Sequence, residues 1–331
     1  PLGPEYMTEK PYSYTRLSSD EAARLVQRSY SLTRDVRCQF YTAGLHDNYL
    51  VEDGNDRYIL RVYRNGWRSK EEIGFELALI AFLNQQSTLL ARLVPDKDGN
   101  LSVEMDAPEG KRYAALFQYA DGEAPGKDHN AEEAEILGET VAQLHHLADD
   151  FKTEYKRSDL ELPYLLDQSI TRIEPFIDED DLDYLKKLQA MLHHELSRLT
   201  KSREIYGICS GDVNAHNFHI TLDDRITLFD FDQCGYGFRA FEIAKYFSSL
   251  YKNQQASQIR EAFLRGYQKV RILENTELAT IPYFEIVAVI WVMAIHVDNG
   301  EYIGHKHLES DFWDQKFVTL RELGYGAAKL I

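Results

Sequence analysis

The chain has 331 residues, 44% of them hydrophobic, enough for a sizeable core in one large domain or two lobes. Its 37 basic and 54 acidic residues leave a net charge of −17. This argues against broad binding to nucleic acid or to anionic membranes, and it suits either a cationic substrate or charge kept for solubility alone. Three cysteines, Cys38, Cys209 and Cys234, lack C-x-x-C spacing and point to a reducing, cytoplasmic setting rather than a disulfide scaffold.

Pro1–Tyr6 reads as a cleavage remnant, with Met7 as the native start. Ser18 and Glu21 have capping-box spacing, and Ala22, Leu25, Val26 and Tyr30 form an apolar helical stripe. Strands are predicted over Val36 to Thr42, Asp47 to Glu52 and Arg57 to Tyr63, the last two joined by Asp53-Gly54-Asn55. Between the first two lies a turn, Ala43 to Asn48, with a single glycine. The third strand alternates, with Ile59 and Arg61 on one face and Tyr58, Leu60 and Val62 on the other. Ser69 and Glu72 open a second helix whose apolar face is Ile73, Leu77, Ile80, Ala81 and Leu83; Glu76 stands one turn from Glu72 and from Ile80. Leu93 to Asp106 and Lys111 to Gln118 read as strands around turns at Asp98-Gly99-Asn100 and Pro108-Glu109-Gly110, completing an antiparallel sheet of about five strands. The polar connector Tyr119 to Glu123 then marks a boundary, dividing the chain into 7–118 and 119–331.

The second part is mainly helical. Helices are predicted over Ala131 to Leu147, Leu182 to Leu199, Ala240 to Tyr251, Gln258 to Val270, Pro282 to Val297 and Phe312 to Leu323. His145 and His146 are helix-end residues, because adjacent histidines do not share a helix face. The longest apolar run, Ile286 to Ile295, is too short to span a bilayer.

Between these helices runs Cys209 to Asp232, CSGDVNAHNFHITLDDRITLFDFD. Asp212 sits in a polar loop and Asn217 follows five positions later. Then come a strand (Phe218 to Leu222), an Asp223-Asp224 turn, and a second strand (Ile226 to Phe229) ending in Asp230 and Asp232. Polar groups at the ends of paired strands converge. A carboxylate, an amide and a second carboxylate suit phosphoryl transfer, in which one group receives a hydroxyl proton while the others hold Mg²⁺ on a nucleotide's phosphates. The plain alternative is an acidic hairpin on a solvated surface.

This stretch resembles the protein-kinase catalytic loop, and more closely the aminoglycoside phosphotransferase-like and choline kinase-like branch of that fold. The branch motifs H-G-D-x-x-x-x-N and I/F-D-F-D stand here as Ser210-Gly211-Asp212 with Asn217, and Phe229-Asp230-Phe231-Asp232. Gly235 to Phe247 is similar to the family's next helix, and the likeness runs from Val36 to Leu250. It implies an α+β, two-lobed protein-kinase-like fold. A small N-terminal lobe, an antiparallel sheet with a helix, would bind ATP, and a large helical C-terminal lobe would carry catalysis and the acceptor. It implies Asp212 as the catalytic base with Ser210 beside it, and Asn217, Asp230 and, secondarily, Asp232 as Mg²⁺ ligands. Arg61 takes the phosphate-binding lysine's place, paired with Glu76 (or Glu72), Ile59 lies against adenine, and backbone groups of Gln118, Tyr119 and Ala120 bond the base.

Three positions depart from the family pattern: Ser210 for His, Arg61 for Lys and Glu242 for an Asp that braces the catalytic loop. The implied acceptor is a small hydroxylated, amine-bearing molecule such as an aminoglycoside or amino-alcohol, with neither nucleic acid nor membrane as partner. Trp291, His296, Asp298, Asn299, Glu301 and Tyr302 are candidates to line its pocket or to be core and helix end. Leu160 to Leu166 and Phe229 to Ala240 also resemble bacterial stress-response Ser/Thr kinases, which makes a protein acceptor the enzymatic alternative. A degenerate nucleotide-binding module and a partner-binding scaffold are the non-enzymatic ones.

Overall fold

The computed structural model describes residues 12–33, 35–125 and 129–328. Pro1–Tyr6 and the start at Met7 lie outside them. The chain divides into two compact units, one running to Ala78 with Arg92–Tyr119, the other comprising Leu79–Ala91 with Ala120 onward.

The first unit is a sheet with a helix on one face. α1 (Ser19–Ser29) begins where Ser18 Oγ accepts the Glu21 N–H at 3.2 Å. Strands β1 (Arg37–Ala43), β2 (Asp47–Asp53), β3 (Asp56–Val62), β4 (Leu93–Val94), β5 (Val103–Ala107) and β6 (Gly110–Gln118) form one antiparallel sheet in the order β1-β2-β3-β6-β4, with β5 also on β6. The predicted Leu93 to Asp106 strand is thus two short ones. The predicted stripe of α1, Ala22 to Tyr30, packs on Tyr49, Val51, Leu60, Val62 and Leu116. Burying each of these large apolar side chains contributes roughly 1.5–3 kcal/mol before entropy is counted. Because Leu60 and Val62 face this core, the alternation of β3 turns Arg61 to the other face. α2 (Lys70–Asn84) opens with the predicted capping box: Ser69 N–H donates to Glu72 Oε2 at 2.9 Å, and Glu72 N–H to Ser69 Oγ at 3.2 Å.

The second unit holds helices α3 (Ala131–Leu147), α4 (Gln168–Ile173), α5 (Glu179–Leu196), α6 (Arg239–Ser249), α7 (Ala256–Gln268), α8 (Asn275–Ile303) and α9 (Ser310–Ala328). Two small ladders, β7 (Tyr206–Cys209) with β10 (Gly235–Phe238) and β8 (Phe218–Ile220) with β9 (Ile226–Leu228), complete it.

Two expectations are corrected here. Gly235 to Phe238, read as helix, is a strand, and the helix starts at Arg239; alternate glycines let β10 lie close against Leu160. α8 starts at Asn275, so Pro282 is inside it, and at 29 residues it is long and apolar enough to cross a membrane. Its apolar window is nonetheless 72% buried in the unit's own core, where it packs against α4 and α6.

Candidate active site

The two ladders place the central stretch. Ser210, Asp212 and Asn217 lie on the segment from β7 to β8, and Asp230 and Asp232 follow β9. The Phe229 N–H donates to the Asn217 carbonyl at 3.0 Å, tying the segments together. Ser210, Asp212, Asn217, Phe229 and Phe231 line a small cleft. Gly211 sits at φ +82°, and an added Cβ would stand 2.1 Å from the Gln233 carbonyl oxygen, so only glycine fits between the two segments.

The five-residue spacing has a direct physical meaning. Asn217 Nδ2 donates to the Asp212 carbonyl at 2.8 Å and to its Oδ2 at 2.9 Å. The other carboxylate oxygen, Oδ1, accepts from Lys245 Nζ at 2.6 Å. Asp212 is therefore held at both oxygens, with its side chain still 31% exposed. With Nδ2 engaged this way, Asn217 turns its Oδ1, an oxygen ligand, away from Asp212. Asp230 adopts φ +64°, a left-handed conformation uncommon outside glycine and often found at functional sites. Asp232 is buried, its Oδ2 accepting from Gln233 Nε2 at 3.3 Å and its carbonyl from Arg157.

Behind the loop, Glu242 of α6 is fully buried and gathers four donors. Ser210 N–H and Oγ–H reach it at 2.8 and 2.7 Å, and Gly211 N–H at 2.7 Å. His145 Nε2 donates the fourth at 2.8 Å, while its Nδ1 accepts from Tyr267 O–H at 2.8 Å. Burial alone would raise the Glu242 carboxyl, but the His145 and Ser210 donors outweigh it and hold it below its ordinary value. Burial likewise pushes the His145 imidazole down, against the pull of Glu242, which keeps it neutral. His145, Cys209 and Glu242 offer three ligand atoms within 4.8 Å of one another, yet the hydrogen bonds already engage His145 and Glu242, so the group is a brace.

In the first unit, Arg61 Nη1 meets Glu76 Oε1 at 3.2 Å, and its guanidinium lies 5.7 Å from the Phe117 ring centroid. Glu72, the other candidate, is taken by the helix cap and by Arg68 at 3.4 Å. Ile59 shares the Arg61 face of β3, opposite Phe117 of β6. The tip of the β1–β2 hairpin is pinned by Arg64, which donates to the Leu45 and Gly44 carbonyls at 2.8 and 3.2 Å. At the end of β6, Gln118 N–H donates to the Arg92 carbonyl at 2.7 Å and Tyr119 N–H to that of Arg57 at 2.9 Å. In the second unit the Ala120 carbonyl accepts from His219 Nδ1 at 2.9 Å.

Two residues at the core of this arrangement are not among the sequence-predicted ones. Lys245 is three residues after Glu242, so both lie on one face of α6, and that spacing was the available signal. His145 lies far from the motif in sequence, and nothing local marks it. Of the six acceptor candidates, Trp291 is core against Phe241, Asp298 is bonded by Arg172, Glu301 is exposed, His296 lies half-buried against Phe312, and Asn299 and Tyr302 are partly exposed.

The profile of the phosphotransferase enzyme family matches residues 37–278. A relative from Synechocystis sp., an uncharacterized protein, is 36% identical over 316 residues, covering 95% of this chain and 88% of its own. Among solved structures, a microcompartment-associated aminopropanol kinase matches with a TM-score of 0.79 at 22% identity, covering 94% of this chain and all of that one. The amicoumacin kinase hAmiN, in complex with AMP-PNP, Ca²⁺ and Ami, matches with a TM-score of 0.76 at 20% identity, covering 93% of this chain and 92% of that one. These likenesses show the kinase-like fold, with its sheet-containing N-terminal part and mostly helical C-terminal part.

Proposed function

The chain belongs to the phosphotransferase enzyme family, and from that premise we propose that it moves the γ-phosphate of ATP, with Mg²⁺, to a hydroxyl of a small, amine-bearing molecule. The observation that carries this reading is the Asp212 carboxylate, held at one oxygen by Asn217 and at the other by Lys245 and still open on one side. The names of the aminopropanol and amicoumacin kinases support a small amine-bearing acceptor, and AMP-PNP and Ca²⁺ in the latter support a nucleotide with a divalent cation.

In this reading the acceptor oxygen attacks the γ-phosphorus, the bond from that phosphorus to the β–γ bridging oxygen breaks, and ADP leaves with its electron pair. The hydroxyl proton passes to Asp212. Its two hydrogen bonds fix the plane of the carboxylate, so orientation need not be found during the reaction. Asn217 Oδ1 and the Asp230 carboxylate are oxygen donors of the kind a hard divalent cation takes, with the buried Asp232 carboxylate a secondary one. The cation, when bound, supplies charge neutralisation at the phosphates. Arg61 adds a fixed positive charge for phosphate oxygens, and Glu76 fixes its direction. Glu242 stands in for the family's Asp with a longer arm, and it binds Ser210, at the family's usual histidine position, and His145.

The test is transfer of labelled γ-phosphate from MgATP to a panel of amino-alcohols, aminoglycosides and generic protein substrates. The expected result is label on one small molecule, and a loss of about 10²–10⁴-fold in kcat for Asp212→Asn with MgATP binding retained. Label on protein would instead establish a protein kinase. Unchanged turnover in Asp212→Asn would remove its assigned role.

A further inference from the structure

In a chain whose acidic residues outnumber its basic ones by 54 to 37, cations ordinarily find carboxylates. In one cluster of the second unit only the first of three lysines does so. Lys245 of α6 reaches Asp212 at 2.6 Å. Lys252, just beyond α6, has the Gln315 side-chain oxygen at 3.5 Å. Lys316 of α9 is half-buried over the Phe312 ring, 5.6 Å from its centroid, and among the described residues has no carboxylate partner. Burial, and then the charges of Lys252 and Lys245, push the Lys316 ammonium below its ordinary value. His296, beside Phe312 at 5.2 Å and His307 at 6.0 Å, is pushed down to about 4 by burial first, then by Lys316 and His307. Asp298, two residues beyond His296, is engaged elsewhere, paired with Arg172.

We infer that the acceptor carries an anionic group, a carboxylate or a phosphate, which docks on Lys316 and Lys252 while its hydroxyl reaches Asp212. This rests on the phosphotransferase reading above and narrows its substrate. The like charge of Lys252 beside the half-buried Lys316 costs stability that an incoming anion recovers. Lys245 then has two neighbours, the catalytic carboxylate and the anion end of the site, and links the reacting end of the acceptor to its recognition end. An acceptor with both an amine and an acid, a hydroxy amino acid, satisfies this inference and the names of the structural relatives together.

Acceptors matched in their hydroxyl but differing in charge provide the test, with ADP formation from MgATP as readout. One set is 1-amino-2-propanol against threonine; the other is glycerol against glycerate and glycerol 3-phosphate. The expected result is a preference for an acid-bearing member of at least about tenfold in kcat/KM, with Lys316→Gln raising the KM for that member about 10- to 100-fold and leaving the KM for ATP at the wild-type level. Glycerate against glycerol 3-phosphate separates carboxylate from phosphate recognition. Preference for the uncharged or cationic member, or an undiminished preference in Lys316→Gln, overturns the inference while the phosphotransferase stands. A rise in the KM for ATP alone in Lys316→Gln overturns it in favour of a nucleotide contact. Should no member be turned over, calorimetric titration of glycerate and of inorganic phosphate into the MgADP-bound protein decides. Binding that Lys316→Gln abolishes supports the inference; no binding, or binding indifferent to Lys316, ends it. Failure of the wild type to bind MgATP, by contrast, ends the phosphotransferase reading itself.

Discussion

Arg61 in the sheet unit and Glu242 behind the Asp212 loop are both buried charges at positions where the family usually has another residue, and each is satisfied differently. Arg61 meets an opposite charge, Glu76, at 3.2 Å, and its side chain keeps 10% of its surface exposed. Glu242 is wholly enclosed and meets neutral donors: two amides, a hydroxyl and an imidazole. An ion pair whose cation keeps some surface open can exchange part of its partner for a ligand. An enclosed carboxylate ringed by neutral donors cannot, and its whole effect is to fix the loop carrying Asp212. A departure in the sheet therefore alters binding strength, whereas a departure behind the loop alters geometry.

Glu242→Gln is the most severe way to press that contrast. The amide turns a donor toward at least one N–H or O–H that now has an acceptor, leaving buried polar groups unmatched. The expected cost is on the order of 3 kcal/mol in urea unfolding, with loss of transfer beyond what unfolding explains. A variant as stable and active as the wild type would mean that Glu242 does not position the loop.

Acidification probes the same brace more gently. Glu242 is held below its ordinary value by its donors, despite burial, and burial holds His145 below its own. Lowered values contribute stability above the unfolded value that is lost as pH falls toward the folded one. Loss through His145 therefore begins near pH 6.5 and loss through Glu242 near pH 4.3, the unfolded values of the two groups. The slope reaches at most about 1.4 kcal/mol per pH unit for each proton. Tm should fall between pH 7 and 5 in the wild type, and His145→Gln should flatten that interval while keeping the steeper loss below it. An unaltered profile in His145→Gln would assign the acid loss to other groups.

Much of this arrangement was legible in the residues. Asp212, Asn217 and Asp230 stand between β-prone apolar runs, and a strand-flanked loop leaves its polar residues few places to go. The caps at Ser18 and Ser69 were readable because a capping box is local. The sequence misled where one residue carries two meanings. Pro282 reads as a helix start but is tolerated inside α8, and glycines at 235 and 237 fall in a stretch whose continuation is helical. His145 and Tyr267 come to the loop from α3 and α7, a juxtaposition that tertiary packing alone creates.

Arg61→Lys should have the smallest effect, and it tests the other half of the contrast. Lysine keeps the positive charge beside Glu76, so the buried carboxylate is not abandoned, and it is the residue the family usually places there. What is lost is the planar fork and its fixed direction. The expected outcome is a change in the KM for ATP of less than about tenfold, with little change in kcat or Tm. Arg61→Ala should differ in kind, because it strands Glu76 and lowers stability together with nucleotide use. Pairing it with Glu76→Gln separates the two: stability should largely return, and the weakened nucleotide affinity should not. If Arg61→Lys alone abolished transfer, the fork itself would be required at the phosphates, and this position would be as geometrically exacting as the loop.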